Sequence, residues 1–318
     1  MKVLVTGGSG MVGCAIKKLI KDRKEEEWLF ISSKDVNLTD YDSTFNFFQS
    51  WNPTHVIHLA ANVGGLYKNL ASNIDMYYDN TLINMNVLKA CNEIGVEKII
   101  CCLSTCIFPD KVDKYPINEK MLHLGPPHSS NEGYAYSKRM LEVLCCMYNE
   151  HFNRKYMCII PCNIYGPHDN FNIDNAHVIP ALIHKAYIAY RDNDTFIIKG
   201  SGKALRQFIH SEDVAKICIW LLFNCQEIEP IILAPALKET YAIKDIVDMI
   251  RKYTNLSYNQ IVYDETFTDG QYIKPVSNHK FLELYKKIEK QEYKFISLDD
   301  GLKTTGEWFK VNYDECRK

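Results

Sequence analysis

The stretch VLVTGGSGMVGCAI, residues 3–16, constrains the fold more than any other part of the chain. An apolar β-branched run passes directly into a helix-period segment, and Gly7, Gly10 and Gly13 space the turn as G-x-x-G-x-x-G. Glycine at such a turn lets the backbone approach a pyrophosphate closely, and the helix N-terminus behind it supplies N–H donors and a positive dipole. Gly7, Gly8, Ser9, Gly10, Met11, Val12 and Gly13 are therefore the candidate dinucleotide cradle.

The alternation continues. KVLVT, WLFIS, HVIHLA and KIICCL are strand-like runs, separated by residues 11–24, 41–50 and a long stretch ending at Gly95. That βαβα rhythm predicts an α/β fold, a Rossmann-type doubly wound parallel sheet with helices on both faces. Gly95 reads as a helix stop directly before a strand. A helix over 134–151 leads into YMCIIP. After Pro161 the rhythm breaks into CNIYGPHDNFNIDNAHVIP, a polar loop longer than ordinary connections and for that reason a functional candidate. The rest mixes short helices and strands and ends in a predicted helix, Asp299 to Asn312, capped by Ser297. We expect residues 1–165 to form the dinucleotide-binding unit, with a return segment near 205–225, and residues 166–318 to form a smaller, interleaved α/β substrate unit.

Composition narrows the partners. Lys+Arg 37 against Asp+Glu 39 leaves a formal charge of -2, so no overall field gathers nucleic acid or anionic membrane. Any anionic ligand must meet local cations. The opening MKVLVTGGSG holds no apolar run of signal-peptide length, and no later run approaches the roughly 18 residues of a membrane span. Twelve cysteines, with CC doublets at 101–102 and 145–146 in apolar periodic segments, fit reduced core thiols of a cytoplasmic protein. No Cys-x-x-Cys pair recurs at zinc-ligand spacing, so no metal is expected.

The second strand ends FISSKD. Enzymes that prefer NAD set an acidic residue there, where it accepts from the ribose 2′-hydroxyl and repels a phosphate. Ser32, Ser33 and Lys34 instead offer hydroxyls and a cation where a 2′-phosphate would lie, which favours NADP. Asp35 argues the other way. Farther on, Asn37 and Leu38 would lie near the adenine, and the small side chains of Ala60 and Ala61 permit close cofactor packing.

GYAYSKRM places Tyr134 and Lys138 four apart on one helical face, following a Ser104 at the end of the fourth strand. A tyrosine of pKa about 10 is a poor acid–base group at neutral pH, but a lysine one turn away stabilises the phenolate. Ser104 would hydrogen-bond a substrate carbonyl, Tyr134 would deliver the proton, and Lys138 would also hold the nicotinamide ribose. Cys106, two residues past Ser104, is a second candidate. A thiol with an unperturbed pKa of about 8.5 suits proton exchange on a carbon beside a ketone when a cation lies near. Its partner candidate is His177 in NAHVIP, since an imidazole both donates and accepts near neutrality. Which of the two is acid and which is base stays open.

LSTCIFPDK, YAYSKRM, NIYGPHDNFN, HVIPALIHK and RQFIH resemble the GDP-L-fucose synthase family, 3,5-epimerase-4-reductases of the extended short-chain dehydrogenase/reductase group. The resemblance spans essentially the whole chain. It implies NADPH as reductant, GDP-4-keto-6-deoxy-D-mannose as substrate, and a homodimer built on the helices near 80–94 and 134–150. It also implies that Ser104, Tyr134 and Lys138 form a reductase triad and that Cys106 and His177 exchange protons during epimerisation. Pro161, Asn163 and Ile164 belong to the stretch beside the nicotinamide, where His177 also borders the cofactor, and Cys162 stands where the family more usually has threonine. Lys185, Arg206, Asp269 and Lys274 fall at positions that contact or neighbour the GDP-sugar. Lys199 in IKGSG is the clearest departure, since the family commonly has a tryptophan there lining the nucleotide pocket. Another sugar-nucleotide epimerase or reductase of the same fold, or a non-catalytic NADP-binding protein, are the alternative readings.

Overall fold

The computed structural model describes residues 1–318. Its first half runs β1 (Lys2–Thr6), α1 (Met11–Leu19), β2 (Glu27–Ile31), α2 (Tyr41–Trp51), β3 (His55–His58), α3 (Leu66–Ala71) and α4 (Asn73–Glu93). β4 (Lys98–Cys102), α5 (Glu132–Phe152) and β5 (Lys155–Pro161) follow. The second half opens with β6 (Asn163–Tyr165), α6 (Val178–Asp192), β7 (Phe196–Lys199), β8 (Leu205–Arg206) and β9 (Phe208–His210). Next come α7 (Ser211–Asn224), β10 (Ile231–Leu233), β11 (Tyr241–Ala242), α8 (Ile243–Thr254), β12 (Ile261–Asp264), α9 (His279–Glu289) and α10 (Leu298–Val311).

The main sheet is parallel, in the order β10-β5-β4-β3-β1-β2. Val3, Leu4, Val5, Ile99 and Ile100 are fully buried, as expected of strands covered on both faces, which read as continuous apolar runs. Helices α2, α4 and α5 pack together against the sheet, while α1 and α7 form a separate packed pair and α9 lies against β10. Winding reverses between β1 and β3, so the carboxyl ends of these two strands open a crevice. The doubly wound Rossmann-type fold expected from the alternation is the fold found.

The chain returns to the first core over a longer stretch than 205–225. Ile231, Ile232 and Leu233 of β10, together with Val276 and Phe281, are buried in the same apolar cluster as β1 and β4. A second cluster joins Tyr165, Phe171, Phe196, Ile246 and Phe309 from β6, the loop after it, β7, α8 and α10. Three two-stranded pairings complete the fold: β6–β9 and β7–β12, both parallel, and β8–β11, antiparallel.

Helix ends follow local chemistry. α2, α5, α6 and α8 stop at Asn52, Asn153, Asn193 and Asn255, with φ of 52, 51, 51 and 57°. Asparagine is the residue that, after glycine, tolerates the left-handed region best. The Ser297 side chain accepts from the N–H of Asp300 and caps α10, as expected. Helix α1 is shorter than the expected 11–24. Beyond Ile20, which is buried, the charged run KDRKEE offers no apolar side chain to hold against the sheet.

Candidate active site

At the crevice Gly7 has φ +67°, and a Cβ there would lie 2.8 Å from the Ala60 nitrogen. A Cβ at Gly13 would come within 2.7 Å of the Gly7 oxygen. Side chains at either position would drive apart the exits of β1 and β3 or lift α1 off the turn. The cavity so formed is about 550 Å³ and is walled by Gly7, Ser9, Gly10, Met11, Val12 and Gly13 at its centre. Its wall also holds Asn37, Leu38, Ala60 and Ala61, and Pro161, Asn163, Ile164 and Lys138. Gly8 does not face this space: it is buried, with its N–H donating to the Ile31 carbonyl at 2.8 Å, so it fastens β2.

Ser32 and Ser33 reach the wall, but Lys34 lies off it. Asp35, also off the wall, turns back on Ser32 and accepts from its N–H at 2.7 Å and its hydroxyl at 2.8 Å. Those bonds hold its carboxyl below the usual range. The acid that would have repelled a 2′-phosphate is thus spent on a turn, and the hydroxyls remain. The cradle and this ribose end fit NADP(H).

β4 delivers the next group. Ser104 accepts from the Cys106 N–H at 3.3 Å and so caps a short turn over Thr105–Ile107. Buried Arg139 of α5 grips that turn: Nε donates to the Ile107 carbonyl at 3.1 Å, as does Nη2, while Nη1 donates to Gly125 at 2.9 Å. Cys106 is thereby presented to a second cavity of about 330 Å³. Burial pushes its thiol pKa up, and Lys274 is the strongest opposing influence.

Helix α5 carries Tyr134 and Lys138. The Lys138 ammonium donates to the Cys102 carbonyl at 2.9 Å and lies 5.9 Å from the centre of the Tyr134 ring. Burial lowers the Lys138 pKa and raises that of Tyr134 well above its ordinary value. The expected depression of the tyrosine by the lysine is therefore not what these surroundings do. One N–H of the ammonium goes to a backbone carbonyl and two remain for a ribose hydroxyl, while burial keeps Tyr134 a phenol with its proton to give.

The long polar loop ends at His177, which precedes α6. Burial lowers the His177 pKa, with the Lys68 charge adding to it, so the imidazole is neutral at pH 7. Lys68 itself donates to the Asn62 side chain at 2.8 Å, and the Gly65 N–H donates to Asn175 at 3.0 Å, which ties the segment after β3 to the His177 loop.

Ser104, Tyr134, Asn163 and His177 border both cavities. Cys106 borders the second, whose wall also holds Lys185, Lys199, Arg206, Asp269 and Lys274. Burial lowers the pKa of Lys185, Arg206 and Lys274, the last to about 8. Asp269 is engaged: its carboxylate accepts from the Ser201 N–H at 2.8 Å and hydroxyl at 2.5 Å, so it shapes the 200–202 turn as well as the wall. Lys199 lies 4.9 Å from the ring centres of both Tyr67 and Phe267. Tyr67, on the wall, brings back an aromatic face at the departure site; it belongs to α3 and carries no signal in the sequence around Lys199. Asn69, 7% exposed and bordering both cavities, was likewise not foreseen. Cys162, buried, also borders both.

The profile of the NAD dependent epimerase/dehydratase family matches residues 3–234. A GDP-L-fucose synthase from Dictyostelium discoideum is 45% identical, covering 99% of this chain and 97% of its own. A probable GDP-L-fucose synthase from Drosophila melanogaster is 43% identical over 100% of this chain and 99% of its own. The crystal structure of a GDP-L-fucose synthetase from Naegleria fowleri bound to NADP superimposes with a TM-score of 0.91 at 42% identity, covering 100% of this chain and 95% of that one. Crevice, shared wall and full-length likeness agree, and the chain belongs to the NAD dependent epimerase/dehydratase family and, within it, to the GDP-L-fucose synthases.

Proposed function

We propose that the chain converts GDP-4-keto-6-deoxy-D-mannose to GDP-L-fucose, epimerising C3 and C5 and then reducing C4. The observation that carries this reading is the shared wall, with Ser104, Tyr134 and His177 between a dinucleotide crevice and a cavity lined by Cys106 and four cationic side chains. The cations Lys185, Lys199, Arg206 and Lys274 match a nucleoside diphosphate in a chain with no general positive field.

The C4 ketone acidifies the hydrogens on C3 and C5, because the electron pair left on carbon spreads onto the carbonyl oxygen. Ser104 and Tyr134 donate to that oxygen and stabilise the charge where it develops. One of Cys106 and His177 takes a proton from carbon, and the other returns one to the opposite face. Bound NADPH supplies the hydride to C4. Tyr134, a phenol through burial, protonates the oxygen, which removes the ketone and ends epimerisation.

The reading extends to a cytoplasmic homodimer. No helix is long and apolar enough to cross a membrane. In the core the Cys145 sulfur lies 3.7 Å from that of Cys101 and 3.7 Å from that of Cys158. Helices α4 and α5 pack side by side and leave an apolar face.

Product analysis with GDP-4-keto-6-deoxy-D-mannose and NADPH tests the reaction. Cys106→Ser is expected to cut solvent-deuterium incorporation at C3 and C5 by about 10²-fold or more while NADPH binds as before. Tyr134→Phe is expected to suppress hydride transfer chiefly. Equal loss of exchange and cofactor binding in both variants would refute the division of roles.

A further inference from the structure

NADP(H) brings two bridging phosphates and a third on the adenosine ribose, yet the cofactor cavity has only two cations on its wall, Lys138, which is buried, and Arg317, which is exposed. Lys138 donates to the Cys102 carbonyl and stands near Tyr134. Lys34, the cation expected at the ribose, is off the wall. The glycine loop offers Ser9, with no charged side chain of its own.

Arg317 arrives from elsewhere in the chain, on the segment that follows α10. Its carbonyl accepts from the Phe171 N–H at 2.8 Å, and Phe171 is fully buried, stacked 4.4 Å from Phe309. Its guanidinium donates to the His168 carbonyl at 3.2 Å. This anchorage sets the side chain against the cavity, and its charge is felt at Cys14 on α1, whose thiol points back to the Ser9 carbonyl at 3.6 Å. Arg317 therefore lies toward the helix that presents its N-terminus to the diphosphate. Beside it on the same wall is Asp169, 5% exposed, with Oδ2 lacking any hydrogen-bond partner. Burial raises this carboxyl to about 7 against the pull of the Arg317 charge, and its open oxygen fits a hydroxyl donor of the ligand, such as a ribose carries, not a phosphate.

We propose that Arg317 is the cation that meets the cofactor diphosphate, closing the crevice from the far end of the chain. A planar guanidinium suits phosphate oxygens better than a single ammonium does. The polar loop that carries Asp169 and ends at His177 is fastened by the same residue, so cofactor binding and the placement of that loop share one anchor. The inference rests on the assignment of this cavity to NADP(H); titrating the unmodified chain with NADPH tests that assignment separately.

The experiment is fluorescence titration of the full chain with NADPH and with NADH at several KCl concentrations. Arg317→Ala keeps the main-chain bond to Phe171, and Arg317→Gln also keeps a donor for His168. Both are expected to weaken NADPH and NADH by the same factor, at least about tenfold, and to flatten the salt dependence. Arg317→Lys restores part of the affinity at low salt, and Lys310→Ala, which removes an exposed charge from α10, binds like the parent. Parental affinity in Arg317→Gln reduces the residue to a loop anchor and overturns the proposal. A loss confined to NADPH moves the contact to the 2′-phosphate and overturns it as well.

Discussion

The Nε of Arg139 donates to the carbonyl of Ile107 at 3.1 Å, so a buried arginine on α5 fixes the turn that holds Cys106. The same helix carries Tyr134 and Lys138. On the proposed division of roles, reduction and proton exchange are thus indexed to one rigid element, although the thiol itself sits on a short turn.

Arg139→Lys tests that linkage. A lysine keeps the charge but cannot reach Ile107 and Gly125 together from a planar fork. Cys106 is expected to lose alignment, while Ser104, nearer the end of β4, keeps its place. Solvent-deuterium incorporation measured with NADP⁺ present is expected to fall by about 10²-fold. Hydride transfer to substrate already epimerised changes much less. Equal losses in both would mean that the arginine only supports the fold.

Lys274 is expected to set a pH dependence. Burial brings its pKa down to about 8, with the Cys106 thiol opposing that shift and Arg206 adding to it. The ammonium is present below that value and is lost as pH rises through it. The free enzyme then loses a cation for the diphosphate, and the thiol loses the charge that most favours thiolate. The profile of kcat/KM for the GDP-sugar, which reports free-enzyme groups, is expected to fall above about pH 8. Lys274→Arg stays protonated and removes that limb. A limb that persists unchanged in this variant belongs to another group.

The glycine turn, the doubly wound parallel sheet and the Tyr134–Lys138 pair were legible because each rests on local spacing or period. Strand and helix periods identify which residues share a face, and the ends of parallel strands converge by topology. What escaped depends on where one side chain turns. Asp35 looked able to oppose NADP until its carboxylate was found on Ser32. Lys138 looked able to lower Tyr134, but burial of the phenol acts the other way and prevails. Tyr67 and Lys199 lie far apart along the chain, and nothing around either announces the 4.9 Å approach between them. Arg317, too, reaches the cofactor cavity only because Phe171 is buried beneath α10.

The apolar face on α4 and α5 gives the last test. Ile74, Tyr78 and Met85 of α4 are 72, 63 and 53% exposed, and Met147 and Phe152 of α5 are 51 and 53% exposed. On α4 the spacing of four and then seven puts these side chains along one stripe. An apolar stripe spread over two adjacent long helices fits a second copy laid across it by a two-fold axis, which makes a four-helix contact. Tyr78→Glu combined with Met147→Glu would bury four carboxylates at such an axis without counterions, a cost that no modest interface withstands. Sedimentation of the unmodified chain is expected to give twice the monomer mass, and the double variant the monomer mass. None of these side chains borders either cavity, so NADPH affinity is expected to survive in the monomer. A parent chain that sediments as a monomer at micromolar concentration would show that the face serves some other contact.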